Sequence, residues 1–311
     1  MINLTMIESY KDYGKCVCIS NGIVEAYVTV DIGPRIILFG YVGGKNLMCD
    51  DRARFAPKTD KAYTDVFGEG KAWESFGGHR IWITPEEYPL TYTPDDEAVD
   101  YELLIDGAVF TAKEDRNNNC QKSLEIKMPE GKPEMSVTMR VKNIGTSPKE
   151  FAVWGITVCD SDGTLIVPMN TNDTGLLHNR NISVWPYTDM SDDRIYWGKK
   201  YVTVKQDVNA KTPIKLGFDL NGGKAYYVLG EDIFKKTYSP NHPNGIYPDG
   251  GCSFETYTNN AMLEFEVLGE VKNVKSGETA EHSECWSLFK KPHEVDFTDD
   301  NSIEEFLNHI K

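Results

Sequence analysis

"MSVTMRVK", residues 135–142, decides the fold. Its side chains alternate: Met135, Val137, Met139 and Val141 fall on one face, and Ser136, Thr138, Arg140 and Lys142 on the other. A period of two is the mark of a strand with one face in a core and the other in water. Working outward, the same short pattern returns in "VEAYVTV" (24–30), "RIILFG" (35–40), "YELLI" (101–105), "SLEIKM" (123–128) and "EFAVWGITV" (150–158). It continues in "YVTVKQ" (201–206), "AYYVLG" (225–230), "CSFETYT" (252–258), "AMLEFEVLG" (261–269) and "HSECWSLF" (282–289). Turn clusters such as "PEGKPE", "NIGTSP", "DSDGT" and "LNGGK" separate these runs. Many short strands with frequent turns predict an all-β sandwich or barrel, not an alternating α/β chain.

Helical signal is confined to "DDNSIEEFLNHIK" at the C-terminus. There Ile303, Phe306, Leu307 and Ile310 form one apolar stripe, with Ser302 and Glu305 spaced as a capping box. No internal repeat or linker divides the 311 residues, so one domain spanning 1–311 is expected.

A net charge of −15 argues against nucleic acid and anionic membrane surfaces. No apolar run approaches the roughly 20 residues of a membrane span, and no secretory signal opens the chain. Seven cysteines without C-x-x-C spacing read as reduced thiols of a cytoplasmic protein. "GYVGGKN" lacks the spacing of a phosphate loop, "CDSDGT" lacks that of a calcium loop, and no G-x-S-x-G elbow is present. The six histidines are scattered without metal-ligand spacing, so neither a metal nor a cofactor is expected.

Two segments could carry chemistry. In "FGGHRIWITPEEYP" (76–89), an extended run over 80–84 puts Ile81 and Ile83 on the core face, with Arg80 and Trp82 together on the other. A guanidinium beside an indole suits a sugar, since the ring stacks on C–H faces while the fork donates to hydroxyls. It equally suits a surface cation–π pair worth ~0.5–1 kcal/mol. His79 stands at the mouth of the glycine turn, free to be aimed either way. In "NNAMLEFEVLGE" (259–270), Glu264 and Glu266 share a face, roughly 6.5–7 Å apart along the strand. They form a solvated surface or, in a desolvated cleft, a tuned acid or base. Trp73, Trp82, Trp154, Trp185 and Trp286 lie in or beside expected strands, and aromatic residues next to charged ones recur in three segments.

Taken in order, "VTVDIGPRIILFGYVGGKNLM", "FGGHRIWITPE", "VWGITVCDSDGTLIVP", "VWPYTDM", "SFETYTNNAMLEFEVLGEV" and "SGETAEHSECW" resemble the galactose mutarotase-like superfamily. The likeness is to a branch with a G-G-H/D-R-hydrophobic-W-x-x-P-E signature, and it covers about residues 20 to 290. It implies a large antiparallel β-sandwich whose concave sheet binds a sugar or oligosaccharide, to which the short C-terminal helix read above is added. In the family's aldose 1-epimerases, a histidine acid and a glutamate base open and reclose the sugar ring. By resemblance, Arg80 takes the place of the sugar-binding arginine and Glu264 that of the catalytic glutamate of L-E-x-Q, with Glu266 in the glutamine place. The H-x-Y-F-N-L segment that supplies the main acid has no counterpart; "FAVWGITV" stands there, with Trp154 in the histidine's place. His79 is then the candidate acid, with His242 and His178 as loop alternatives, and Trp82, Trp154 and Trp185 are candidate platforms for the sugar. Three functions are compatible with this pattern: an epimerase, a non-catalytic carbohydrate-binding protein, or a hydrolase or lyase using the Glu264/Glu266 pair. Two acids on one strand straddle a glycosidic bond poorly, which counts against the last.

Overall fold

A computed structural model describes residues 2–239 and 245–310. Two ten-stranded antiparallel sheets dominate it. Strand after strand, the alternation has one physical consequence: the apolar side of each sheet faces the other. Met135, Val137, Met139 and Val141 are all fully buried within the Glu134–Asn143 strand. They join one interlayer core with Ile81, Ile83, Phe39, Phe234, Phe265 and Trp286. The expected β-sandwich is therefore what the chain forms.

The first sheet positions the site. Its central strands, side by side, are Gly78–Ile83, Val153–Cys159, Leu263–Leu268, Phe254–Thr258 and Ile214–Phe218. "EFAVWGITV", read as one run, is two strands, because Lys149–Phe151 pairs separately with Lys272–Val274. The second sheet runs from Ile195–Trp197 at one edge to Asp100–Leu103 at the other, with Thr279–Lys290 and Glu134–Asn143 near its centre.

The C-terminal helix spans Asp300–Asn308 and buries Ile303 and Phe306 against the outer side of the second sheet, beside Ile166, Tyr226 and Ile233. Its cap is one correction to the sequence reading. Asp299 accepts from the backbone of Asn301 and Ser302, whereas the Ser302 hydroxyl accepts from the Asp296 amide. A carboxylate one turn earlier outcompetes the serine for the free amides. A second helix, Lys61–Phe67, was not anticipated; Asp60 caps it by accepting from Tyr63 N at 2.9 Å. Among the described residues no helix is long and apolar enough to cross a membrane.

Candidate functional site

The glycine pair before Arg80 is required by space as well as by torsion. Gly77 and Gly78 both have positive φ, at 72° and 62°. A Cβ on Gly77 would lie 2.0 Å from the Cys49 carbonyl oxygen, and one on Gly78 would lie 2.5 Å from that of Ile36. Only glycine tolerates both the torsion and the contact. The chain leaves this turn already extended, so alternation is imposed from Gly78 onward.

Register then sets the outer face of the first sheet. Arg80 lies across from Ile156, which lies across from Glu266, which lies across from Glu255. Trp82 faces Trp154 in the next row, and Glu264, Tyr257 and Lys215 form the row on the other side. Arg80 donates from Nη2 to Glu264 Oε1 at 2.9 Å, and its guanidinium lies 4.5 Å from the centre of the Trp82 ring. Trp82 packs edge-on against Trp154 (5.5 Å) and Tyr92 (4.9 Å), and Trp73 closes the group at 6.1 Å. A cleft of about 370 Å³ opens over this floor, lined by Arg80, Trp82, Trp154, Glu264, Trp73 and Tyr92 among others.

The polar accounting marks where the cleft is unfinished. Arg80 Nε and Nη1, Trp82 Nε1 and Trp73 Nε1 are buried donors with no hydrogen-bond partner among the described residues. Buried donors are ordinarily satisfied, and leaving one bare costs about 1–3 kcal/mol. Bare donors, aromatic faces and the carboxylates of Glu86 and Glu264 in a common hollow can together grip a small molecule that has both hydroxyls and apolar C–H faces.

Beside the cleft lies a buried triad. Lys215 Nζ sits 2.9 Å from Glu255 and 3.5 Å from Glu266, between the rings of Trp154 (4.8 Å) and Trp185 (4.9 Å). Glu266 also accepts from Trp154 Nε1 at 2.9 Å. Burial pushes Glu266 up to about 7 against the pull of Lys215, and burial pushes Glu255 up as well. Burial alone would lower Lys215, but the two glutamates outweigh it and raise the ammonium, which stays charged.

Four sequence readings are corrected here. His79 does not enter the cleft. The alternation that sends Arg80 outward sends His79 inward with Ile81, where its ring packs edge-on to Trp286 at 5.0 Å and its Nδ1 pairs with Thr157 Oγ1 at 2.8 Å. Burial, then the charges of Lys236 and Arg80, hold this imidazole well below its ordinary value, so it is neutral. Glu266 shares the face of Glu264 but is fully buried beneath Trp154, so the two acids do not meet the cleft together. Trp185 reaches the site only through Lys215, which stands between it and Trp154; Tyr187, two residues on, lines the cleft instead. His178 is exposed away from the cleft, and His242 lies outside the described residues. The sequence reading missed Lys215, Glu255 and Tyr92, and it noted Trp73 among the strand-associated tryptophans without assigning it to the site. A signal existed for the first: in "IKLGF" a lone lysine interrupts an apolar strand, and Ile214, Leu216 and Phe218 claim the core face.

Among the described residues, no group of three or more His, Cys, Asp or Glu side chains could hold a metal ion. No protein-family model matches the sequence, and no curated protein matches it. Solved structures do match. A galactose mutarotase-like protein from Clostridium acetobutylicum is 11% identical, with a TM-score of 0.54 over 93% of this chain and 99% of that one. Another from Lactobacillus casei is 10% identical, with a TM-score of 0.52 over 92% and 100%. A TPR-domain containing protein from Parabacteroides distasonis is 14% identical, with a TM-score of 0.55 over 91% of this chain and 48% of that one, so this chain spans about half of it. Two packed antiparallel sheets and the two mutarotase-like neighbours agree: the chain has the galactose mutarotase-like fold.

Proposed function

We propose that the outer cleft of the first sheet binds a saccharide and that recognition is its function. The observation that carries this reading is the meeting of Arg80, Trp82, Trp154 and Glu264, from three strands, in one cleft with bare donors. Sugar hydroxyls both donate and accept, so they suit the guanidinium, the indole N–H groups and the carboxylate, while ring C–H groups suit the aromatic walls. In this reading the chain acts as one domain, and its seven free thiols suit a reducing cytoplasm.

A mutarotase reaction is the second reading, favoured by Glu264 as a base at the cleft floor. It needs an acid on the opposite side of the ring, and the described lining residues include no imidazole. The inward turn of His79 is therefore what sets binding ahead of catalysis.

The test is a titration of glucose, galactose and short oligosaccharides into the protein, read by calorimetry and tryptophan fluorescence, since three indoles line the cleft. At least one sugar should saturate, and Arg80→Lys should weaken it about tenfold or more by replacing the fork with a point charge. A folded protein that answers to no sugar overturns the proposal. Polarimetry on freshly dissolved α-anomers decides the second reading: acceleration above buffer, lost in Glu264→Gln, would make the protein an epimerase.

A further inference from the structure

A second cavity of about 340 Å³ shares no lining residue with the cleft. It opens between the loop carrying Thr93–Glu97 and the turn after the Gly107–Thr111 strand. At its base is Lys122, on the core-facing side of the Cys120–Lys127 strand. Lysine is almost never buried without a partner. Yet Lys122 is 7% exposed, and its ammonium makes no hydrogen bond or ion pair among the described residues.

The surroundings explain why the amine stays charged without a direct contact. Burial lowers its proton affinity, but Asp95, Cys120 and Asp115 act the other way and outweigh it, with Arg35 opposing them weakly. Neither carboxylate is free to swing onto the amine. Asp95 pairs with Arg35 at 3.3 Å, and Asp115 accepts from Thr93 Oγ1 at 2.9 Å and from Asn118 at 3.0 and 2.7 Å. One unpaired donor and two anchored acceptors therefore line one space.

We propose that this pocket is a second ligand site, one that takes a small neutral polyol by seating a hydroxyl between Lys122 Nζ and the carboxylates of Asp95 and Asp115. A hydroxyl is the group that accepts from an ammonium and donates to a carboxylate at once. The lining carries five carboxylates and, in Lys71, Lys113, Arg116 and Lys122, four cations, so its charge nearly cancels and favours a neutral ligand over either ion. Phe67 and Pro94 give the carbon skeleton an apolar wall. The inference does not rest on the sugar reading of the outer cleft.

Sorbitol, an acyclic polyol, is the probe. It is titrated into the full chain labelled with ¹³C-lysine, and the Lys122 Cε resonance, assigned through its own backbone amide, is followed beside that of Lys215 in the cleft. The expected result is a saturable shift of Lys122 with sorbitol, no such shift with sodium acetate at matched ionic strength, and about tenfold weaker saturation in Asp115→Asn. No shift, a shift that rises linearly to the end of the titration, or a shift with acetate in place of sorbitol overturns the proposal. Should Asp115→Asn fail to fold, the wild-type titration decides alone. Lys215 moving while Lys122 stays still would place the polyol in the outer cleft and also overturn the second site.

Discussion

Two buried cation–carboxylate pairs stand on opposite sides of the Leu263–Leu268 strand. On the outer side, Arg80 meets Glu264 at 2.9 Å over the Trp82 ring. On the inner side, Lys236 meets Glu284 at 2.9 Å, with its ammonium 5.0 Å from the centre of the Trp286 ring. The ingredients are nearly the same, but the accounts differ. The inner pair is closed to water: Lys236 also donates across the layer to the Phe265 carbonyl at 3.0 Å, Trp286 Nε1 donates to Glu284 Oε2 at 2.6 Å, and the one atom of the pair without a hydrogen-bond partner among the described residues is an acceptor, Glu284 Oε1. Gly155 makes room for it, since a Cβ there would come within 2.7 Å of Glu284 Oε1. The outer pair borders a cleft and leaves two guanidinium nitrogens without a partner. The inner pair ties two sheets together, whereas the outer pair keeps donors in reserve for something else. Successive residues serve the two sides, His79 inward and Arg80 outward.

The largest expected effect tests the inner pair as a structural tie. Lys236→Met leaves Glu284 as an uncompensated buried charge and should cost about 3–5 kcal/mol of stability. Adding Glu284→Gln should recover much of that loss. Urea unfolding of the three proteins checks it. A single-variant cost below about 1 kcal/mol would mean that the pair is not sealed, and would erase the contrast with the outer site.

The next prediction sharpens the outer side through pH. Glu266, beneath the cleft wall, is raised from an ordinary 4.5 to about 7. Between those values the folded chain keeps a proton that the unfolded chain releases, so this group's contribution to stability is full below 4.5 and is lost as pH rises through about 7. The stability of Glu266→Gln relative to wild type should therefore climb across that window and level off above it. His79 titrates in the opposite sense. Its value is lowered, so its contribution is full above the ordinary 6.5 and falls away in acid, equally in both proteins. Urea midpoints measured at several pH values carry the test; a difference independent of pH would show that Glu266 is already ionised in the fold.

The smallest effect falls on the cleft wall. The Trp73 Nε1 donates to nothing in the described structure, so Trp73→Phe should cost at most ~1 kcal/mol of stability. It should weaken saccharide binding a few-fold, by about 0.5–1.5 kcal/mol of aromatic contact. An unchanged affinity would remove Trp73 from the binding wall while leaving the fold account intact.

Most of the fold could be read in one dimension because a strand's period of two is local. Met135 to Val141 show their face without any neighbour, and so do Ile81 and Ile83 against Arg80 and Trp82. His79 was legible too: continuing the alternation two residues back from Ile81 places it inward, and only the glycines beside it suggested a free turn. Glu264 and Glu266 show the other limit. Their shared face follows from spacing, but which of them meets the cleft depends on Trp154 and Lys215, which lie 112 and 51 residues from Glu266.

What the residue order alone determined is therefore the architecture and the side on which each strand residue lies, because both follow from backbone geometry and burial of apolar surface. What only the tertiary structure decided is access: which charge is sealed by an indole, which donor is left bare, and which strands stand next to one another. Access depends on atoms brought together from distant segments, and no local period encodes that.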